Sequence, residues 1–481
     1  MNILDFKKEK IAILGLSVQG ISSAEFLFRH QIPFTILEKR SKDQFGSVSE
    51  KIKKWNCQSV FGEGHLKNLS NYTLIMRSTG IPLFLPEIVS AKKKGVKISS
   101  NVKLFMELCP AVTIGVTGTK GKGTTCKLIE SILKKDGKDV FVGGNIGRSP
   151  LDFLEEIKSD SIVVLELSSF QLEDFEKSPH IAVILGLAPD HLAPESPNSP
   201  NYHKSFDEYV KAKKNLVRFQ KKSDFIIVKK DDQNSYSFIK ETKATPLFFS
   251  ISGETDRGAY VEKEKLKVKP ASPAGGSGKL VTVGDVKRIK LKGKHNLENI
   301  CAALSVCSLL DCATLSMQKG VFKFAGYEHR LEFVTEVDGI AYYDDSAATN
   351  PEPAIAAINS FDNPIVIILG GSDKGQSYKE LAENIMNSNV KVVYLIGDMA
   401  GKIEKEISNL QFRISKEKNN RDLQIIQVGY PSMEKIVSDC TNLAKKGDVI
   451  LLSPACASFD MFKNYRDRGN QFKQEVRKIE R

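Results

Sequence analysis

The chain has few of the residues and patterns that define several common classes of protein. Its 481 residues include 8 cysteines, which form no Cys-x-x-Cys pair and have no histidine at the spacing of a zinc site. Most of them lie in apolar stretches, for example Cys301, Cys307 and Cys456. The pattern argues against a disulfide-rich or zinc-binding protein, and it predicts buried free thiols.

Long hydrophobic runs are also lacking. No uninterrupted apolar run reaches the roughly 18 to 20 residues that a membrane-spanning helix needs. Residues 1–10 are charged and lack the apolar core of a secretory signal. A hydrophobic content of 41% and a charged content of 27% are those of a soluble globular protein. We therefore expect a cytoplasmic monomer with no membrane partner.

Acidic residues are fewer than basic ones. The chain has 70 Lys and Arg against 58 Asp and Glu, so its formal net charge is +12. Such a surplus is found in nucleic-acid-binding proteins. Here the lysines are spread along the whole chain, with no arginine-rich arm and no interleaved aromatic residues. We expect no nucleic-acid partner, and affinity for anionic substrates such as nucleotides is the simpler explanation.

The length allows about three domains of ordinary size. Strands alternate with helices in residues 1–108, 109–325 and 326–481, which predicts an α/β protein of three domains, each built on a mostly parallel sheet. We expect a Rossmann-like N-terminal domain, a P-loop ATPase-like central domain with short β-like pieces over 245–289, and a Rossmann-like C-terminal domain. The first strand of the third domain is predicted over 340–343.

The most informative segment is a glycine-rich loop between a β-branched run and a helix predicted over 126–135. It comprises Gly118, Thr119, Lys120, Gly121, Lys122, Gly123, Thr124 and Thr125. Glycines let backbone N–H groups close around an anion, the helix N-terminus adds partial positive charge, and the lysine reaches the outer phosphates. Gly123 stands where a phosphate loop usually has a Ser or Thr for Mg²⁺. A glycine-rich turn without a nucleotide is the alternative.

Three polar residues follow in the same region. Glu166 ends a hydrophobic strand, where a carboxylate beside bound phosphates is placed to hold a divalent cation. His191 follows the next strand and either ligates a metal, orients a carboxylate or is structural. Lys213 lies in a helix and would by itself belong to a solvated lysine face.

Polar loops also follow strands in the first and third regions. Gly15 to Gly20, with Glu38 about 20 residues on, resembles a dinucleotide fingerprint without its middle glycine, or a plain strand–helix turn. In the third region His329-Arg330, Asp344-Asp345-Ser346, Gly370 to Gly375 and Ser453 to Phe459 form one candidate site. For each of these segments the alternative is an ordinary connecting loop with no ligand.

Taken together, these motifs resemble the Mur ligases, the ATP-dependent amide-forming family of peptidoglycan synthesis. The resemblance covers nearly the whole chain in order. Its segments are Thr117 to Thr125, Gly144 to Gly147, Glu166 to Leu172, Pro189 to Leu192, Tyr209 to Lys213, Gly293 to Asn299, His329 to Glu332, Asp345-Ser346 with Thr349-Asn350, Gly370 to Gly375, and Ser453 to Gly469. It is strongest to the branch that adds D-glutamate to UDP-N-acetylmuramoyl-L-alanine.

The resemblance implies a set of site residues and ligands. The UDP-sugar substrate would be held by Leu16, Ser17, Val18, Gln19, Glu38, Arg40, Ser78, Thr79, Gly80 and Asn145. ATP would be held by the loop 118–125 together with Asn296, Asn299, Arg330 and Asp345. D-glutamate would be received by Thr349, Lys374, Ser458, Phe459 and Tyr465. Two Mg²⁺ ions would be held by Glu166, His191, Thr124 and Lys213, the last as a carbamate, and the catalytic residues would be Lys122, His191, Lys213 and Lys374.

The chain departs from the family pattern at four places. Gly123 replaces Ser or Thr, Ala347 stands where a lysine often follows Asp-Ser, and Gly186 replaces an asparagine. After His191 the expected Asp-Arg-His is Ala-Pro-Glu, followed by a Pro/Asn/Ser-rich stretch to Tyr202. These departures leave open compensation, reduced activity or a shifted task.

Three alternatives to a D-glutamate ligase follow. The first is another Mur-type or folylpolyglutamate synthase-like amide ligase. The second is a non-catalytic paralogue that binds a UDP-sugar or nucleotide. A dehydrogenase, suggested by Gly15 to Glu38, ranks third.

Overall fold

The computed structural model describes residues 3–45, 48–145, 147–192, 201–270, 279–291, 293–324, 326–373, 376–415 and 423–480. The chain divides into two compact units, the first made of Met1–Val286 with Glu298–Val321 and the second of Lys287–Leu297 with Phe322–Arg481. Within the described ranges, no helix combines the length and apolar character needed to cross a membrane.

The first unit begins with a five-stranded parallel sheet in the order β3-β2-β1-β4-β5. Its strands are β1 (Ile11–Leu14), β2 (Phe34–Glu38), β3 (Gln58–Phe61), β4 (Leu74–Arg77) and β5 (Lys97–Ser99), and its helices are α1 (Val18–Arg29), α2 (Val48–Trp55), α3 (Pro86–Lys93) and α4 (Asn101–Leu108). The strand order reverses between β1 and β4. The loops after these two strands therefore border a crevice, the usual ligand position in such sheets.

A second sheet of nine strands follows in the same unit, in the order β14-β13-β12-β11-β10-β9-β6-β8-β7. The strands are β6 (Val112–Thr117), β7 (Val140–Gly144), β8 (Ile162–Glu166), β9 (Ile181–Ile184), β10 (Phe225–Lys229), β11 (Thr245–Ser250), β12 (Gly258–Glu262), β13 (Lys265–Lys269) and β14 (Val281–Asp285). The helices are α5 (Lys122–Lys135), α6 (Ser169–Leu172), α7 (Phe206–Lys214), α8 (Gln233–Tyr236), α9 (Lys294–Leu309) and α10 (Thr314–Phe322). Within the described part of this sheet, the antiparallel pairs are β12–β13 and β13–β14, and the other pairs are parallel.

The second unit holds a six-stranded sheet in the order β15-β16-β20-β17-β18-β19. Its strands are β15 (Glu332–Val337), β16 (Ile340–Asp344), β17 (Ile365–Gly370), β18 (Val390–Ile396), β19 (Gln424–Gly429) and β20 (Val449–Leu452). Its helices are α11 (Pro351–Ile358), α12 (Lys379–Met386), α13 (Ala400–Ser415), α14 (Met433–Leu443) and α15 (Tyr465–Ile479). Strand β15 is antiparallel to β16, so the prediction that the sheet starts at 340 was wrong. The half-buried β15 mixes polar and apolar residues and carries no continuous hydrophobic run.

Hydrophobic strands rich in β-branched residues form the interior of the sheets. Strands β1, β2, β8, β17 and β20 are buried at every residue, as expected for parallel strands covered on both faces. All eight cysteines are free and six are buried, which confirms the prediction of buried thiols. The three-domain α/β architecture is confirmed, whereas the boundaries at 108/109 and 325/326 stay predictions.

Candidate active site

The loop after β6 has the geometry of an anion cradle. Gly121 has a φ of +82°, and a Cβ added there would lie 2.2 Å from the Oδ1 atom of Asn299. Gly118 is crowded as well, because its Cβ would lie 2.6 Å from the Cβ atom of Leu185. Only glycine fits such contacts. Helix α5 starts directly after Gly121 with no side-chain cap, so its first N–H groups are directed at the loop.

Carbonyl groups of this loop hold the side chain of Lys122 in place. Its Nζ atom donates to the carbonyl oxygens of Gly118, at 3.1 Å, and Thr119, at 2.8 Å. The hydroxyl of Thr119 lies 2.9 Å from the Tyr209 hydroxyl and donates to the Ala188 carbonyl at 3.0 Å. The loop is thereby tied both to the segment after β9 and to helix α7.

Lys213 is brought from helix α7 to the same loop. Its side chain is 1% exposed, and its Nζ atom lies 3.0 Å from the Gly118 carbonyl oxygen and 3.3 Å from the Thr117 hydroxyl. The Nζ atom also lies 4.5 Å from the centre of the Tyr209 ring. Within the described residues no carboxylate pairs with this amine. Burial, together with the nearby Lys122, lowers the pKa of Lys213 well below its usual range.

Glu166 lies at the end of β8 and is 4% exposed. Its Oε1 atom accepts a hydrogen bond from the Asn145 side-chain amide at 3.1 Å. His191 has a φ of +55°, and its Nε2 atom lies 3.6 Å from the Asp190 carboxylate. Its ring centre is 5.2 Å from that of Phe170. A buried carboxylate and a half-buried imidazole therefore follow β8 and β9, the two strands that flank β6, which carries the loop.

The other predicted nucleotide residues have varied surroundings. The Thr125 hydroxyl donates to Asn299 Oδ1 at 3.3 Å, and both side chains are buried. Thr124 and Gly123 are half-buried, whereas Lys120 is exposed. Asn296 is buried in the first turn of α9. Thr124 is the first-turn hydroxyl that could replace the one missing at Gly123.

In the first sheet, Glu38 is fixed by the loop after β1. It accepts hydrogen bonds from the backbone N–H of Leu16, at 2.6 Å, and from the Arg40 side chain, at 3.1 and 3.2 Å. Burial alone would raise the pKa of Glu38, but the Arg40 and backbone hydrogen bonds lower it overall. Across the crevice, the Ser17 hydroxyl donates to the Ser78 hydroxyl at 2.8 Å. The structure therefore brings these predicted residues of β1, β2 and β4 together.

The remaining first-domain predictions lie around the same crevice. Val18 is 75% exposed at the start of α1. The Gln19 carbonyl accepts hydrogen bonds from within the first domain. The Thr79 carbonyl accepts a hydrogen bond from the side-chain amide of Asn201 at 2.7 Å, and Gly80 has open space where a Cβ would be. The sequence reading missed Asn201, because nothing in its Pro/Asn/Ser-rich surroundings marks it.

In the second unit, Asp345 follows β16 and is buried. It accepts hydrogen bonds from the Ser453 hydroxyl, at 2.6 Å, and the Leu331 N–H, at 3.0 Å. Burial raises the pKa of Asp345 to about 7. Arg330 is exposed between His329 and Leu331, which have φ values of +63° and +47°. This strained turn presents the guanidinium outward.

A fully buried guanidinium, Arg468, underlies the same loops. It donates to the Ser346 hydroxyl and carbonyl, each at 2.9 Å, and to the carbonyls of Cys456, at 3.2 Å, and Ala457, at 3.5 Å. It therefore joins the loop after β16 to the loop after β20. The sequence reading did not single out Arg468, because a charge in a charged helix gives no sign of burial.

The predicted amino-acid residues differ in exposure. Ser458 is 2% exposed, whereas its neighbour Phe459 is 72% exposed. Thr349 is half-buried, and the ring of Tyr465 lies 6.0 Å from that of His329. Lys374 lies outside the described residues. The structure thus places Ser458 and Tyr465 among buried groups and Phe459 at the surface.

Comparison with known proteins supplies the family. Residues 9–100 match the Mur ligase MurD-like N-terminal domain, residues 116–307 the Mur ligase middle domain, and residues 329–456 the Mur ligase glutamate ligase domain. The chain belongs to the Mur ligase family.

Relatives and solved structures agree with this. The chain is 38% identical to the UDP-N-acetylmuramoylalanine--D-glutamate ligase of Clostridium botulinum strain 657, over 98% of this chain and 97% of the relative. It is 37% identical to the protein of the same name from Acetivibrio thermocellus, over 99% and 98%. The fold resembles that of UDP-N-acetylmuramate-alanine ligase MurC from Thermotoga maritima, with a TM-score of 0.55, 17% identity and coverage of 98% and 99%. It also resembles a MurF ligase from Thermotoga maritima solved with ADP, with a TM-score of 0.52, 17% identity and coverage of 99% and 100%.

Proposed function

We propose that this Mur ligase uses ATP to join D-glutamate to UDP-N-acetylmuramoyl-L-alanine in peptidoglycan precursor synthesis. The observation that carries the proposal is the buried Lys213 amine against the phosphate loop, in a chain 38% identical to a relative named for this reaction. A buried amine without a carboxylate partner is costly, which argues for a chemical role.

The residues present fit a divalent cation. Glu166 is a buried carboxylate, His191 supplies an imidazole, and Thr124 supplies a hydroxyl in the first turn of α5. The carboxylate and hydroxyl oxygens suit Mg²⁺, which is usually bound through one or two carboxylates together with substrate phosphates, and the imidazole adds one nitrogen donor. When bound, Mg²⁺ would neutralise phosphate charge.

Lys213 fits a second role in the same site. Its lowered pKa leaves a larger fraction of neutral amine, the form that reacts with carbon dioxide. Formation of the N–C bond to carbon dioxide, with loss of one proton from the neutral amine, would give a carbamate anion, whose oxygens can act as ligands. We infer that Lys213 supports a second Mg²⁺ in this form.

The chemistry requires activation of a carboxylate, which is a poor electrophile toward an amine. The carboxylate oxygen of the alanyl substrate attacks the γ-phosphorus of ATP, ADP leaves, and an acyl phosphate forms. The amine of D-glutamate then attacks the carbonyl carbon, loses a proton, and expels phosphate as the C–N bond forms. Lys122 places positive charge beside the transferring phosphoryl group. Water must be excluded from the acyl phosphate.

The binding roles follow the sites described above. Residues of the first-domain crevice, Leu16, Ser17, Val18, Gln19, Glu38, Arg40, Ser78, Thr79 and Gly80, would hold the UDP group, and Asn145 would touch the sugar. Loop 118–125 would hold the ATP phosphates, and Asn296, Asn299, Arg330 and Asp345 would position the adenine nucleotide. Thr349, Lys374, Ser458, Phe459 and Tyr465 would receive D-glutamate.

Mass spectrometry of the product tests the proposal. The purified protein is incubated with ATP, Mg²⁺, UDP-N-acetylmuramoyl-L-alanine and, in parallel reactions, D-glutamate, L-glutamate or another amino acid. We expect a new species heavier than the UDP-sugar by D-glutamate less one water, and none with the other amino acids. A product formed only with a different amino acid would assign another amide ligase.

A further inference from the structure

Asn201 occupies an unusual position between the first-domain crevice and the phosphate-loop site. It is 5% exposed, and its Nδ2 atom donates to the Thr79 carbonyl at 2.7 Å. Because a carbonyl can only accept, this bond fixes the side-chain amide with Nδ2 toward Thr79. The Oδ1 atom then faces the other way. It is buried and has no hydrogen-bond partner within the described residues.

The residues that follow Asn201 anchor it to the rest of the site. The ring of Tyr202 lies 5.5 Å from that of Phe84, edge to face. The ring of His203 stacks on Phe170 at 4.9 Å with an interplanar angle of 7°. The backbone N–H of His203 donates to the His191 carbonyl at 2.8 Å. Residues 201–203 thus touch the first domain through Asn201 and Tyr202 and the central site through His203.

The loop that follows β4 and contains Thr79, here called the Thr79 loop, makes a second contact with the central domain at its start. Arg77, 2% exposed at the end of β4, donates to the Phe170 carbonyl at 3.2 Å. The loop that follows it is therefore anchored at both Arg77 and Thr79, and each anchor joins it to the central domain. A buried polar atom left unpaired in such a rigid place costs free energy unless a ligand satisfies it.

We propose that Asn201 is a binding residue for the uridine diphosphate end of the substrate, holding the Thr79 loop with Nδ2 and accepting a hydrogen bond from the nucleotide with Oδ1. Uridine offers such donors in its ring N–H and ribose hydroxyls. This role rests on the proposed function, because it assigns UDP to the crevice that Thr79 borders. Asn201 would then be a residue of the central domain that contributes to the affinity for the UDP-sugar, which is otherwise bound by residues of the first domain.

UDP alone is the probe that tests this role. Its dissociation constant is measured by titration calorimetry for the full-length protein and for Asn201→Ala and Asn201→Leu. The leucine variant keeps the buried volume. Asn234→Ala, an exposed asparagine of the same domain, is the matched control. Melting temperatures and the affinity for ATP are measured on every variant.

We expect both Asn201 variants to bind UDP at least tenfold more weakly, with ATP affinity within twofold of the parent and Asn234→Ala unchanged. In turnover, KM for the UDP-sugar should rise while KM for ATP and D-glutamate does not. UDP affinity that is unchanged in Asn201→Leu, in a folded protein that binds ATP, would overturn the role of Asn201 and leave the proposed function intact. A parent protein that binds no UDP would overturn both.

Discussion

The Nζ atom of Lys213 lies 3.0 Å from the carbonyl oxygen of Gly118, the first glycine of the phosphate loop. This lysine of a mixed-charge helix is thereby turned into the interior. Among the described residues its amine meets backbone and hydroxyl oxygens and the Tyr209 ring, and no carboxylate. The relationship ties α7 to the loop, and a change at Lys213 should affect chemistry more than folding.

Replacement of Lys213 by alanine should lower kcat about 10- to 100-fold or more, since groups that support metal ligands contribute on this scale. ATP affinity, measured by calorimetry, should change little. Lys211→Ala is the matched control, because Lys211 is exposed on the same helix. If Lys213 is a carbamate, the parent should lose activity in buffer stripped of carbon dioxide and regain it with bicarbonate. Equal activity of the Lys213 and Lys211 variants would contradict the role.

The Gly121→Ala change should damage the phosphate loop through a clash as well as through strain. Left-handed backbone costs a non-glycine residue about 1–2 kcal/mol, and the added Cβ would lie 2.2 Å from Asn299 Oδ1. Gly137→Ala is the matched control, because Gly137 has a φ of +78° and open space around it. We expect both variants to lose stability in urea titration, and only Gly121→Ala to lose ATP binding. ATP binding retained by Gly121→Ala would show that the loop does not cradle the phosphates.

The pH dependence of stability should carry a contribution from Asp345. Its pKa is about 7 in the folded protein, against about 3.9 in an unfolded chain. The folded form therefore keeps its proton while the unfolded form loses it, so this group lowers stability as pH rises from about 4 to about 7. Each pKa unit is worth about 1.4 kcal/mol, and we expect a fall on the order of 2–4 kcal/mol across that window.

The Asp345→Asn variant should lack this fall, since an amide has no charge to bury. Its oxygen can still accept from the Leu331 N–H, and its NH2 group can donate to the Ser453 hydroxyl in place of the present bond. Urea midpoints between pH 5 and 8 measure the fall, with Asp362→Asn, at an exposed aspartate, as the control. Parallel pH curves for the parent and Asp345→Asn would show that Asp345 is ionised throughout.

Arg468→Met should destabilise the second unit by about 2–4 kcal/mol, because three carbonyl groups and a hydroxyl lose a buried donor. Arg466→Met, on the same helix but exposed, should stay within about 0.5 kcal/mol of the parent. Denaturant unfolding followed by circular dichroism compares the two. Equal effects at both positions would mean that the buried guanidinium does not hold the two loops.

The sequence predicts the fold well where hydrophobic runs and glycine turns coincide. The strand predicted over 340–343 agrees with β16 to within one residue. Helix α5 starts at Lys122, four residues before the predicted start, because a phosphate loop passes directly into its helix. Strand β15 was missed because its alternation of polar and apolar residues is broken by a bulge near Phe333.

The candidate site residues also divide into those that a local sequence motif marks and those that it does not. Glycines, strand-end carboxylates and motif lysines carry their chemistry in local sequence, and Gly121, Glu166 and Lys122 were predicted in this way. Arg468 and Asn201 act through contacts with residues more than 100 positions away in the chain. No local pattern marks such partners, since burial of a polar side chain depends on the tertiary fold.

Phosphate release by the purified protein tests the central claim most directly. The assay contains ATP, Mg²⁺, UDP-N-acetylmuramoyl-L-alanine and D-glutamate, and each component is omitted in turn. A D-glutamate ligase predicts sustained phosphate release that requires all four components. Absence of release from a folded protein that still binds UDP would contradict the ligase and favour a non-catalytic nucleotide-sugar-binding protein.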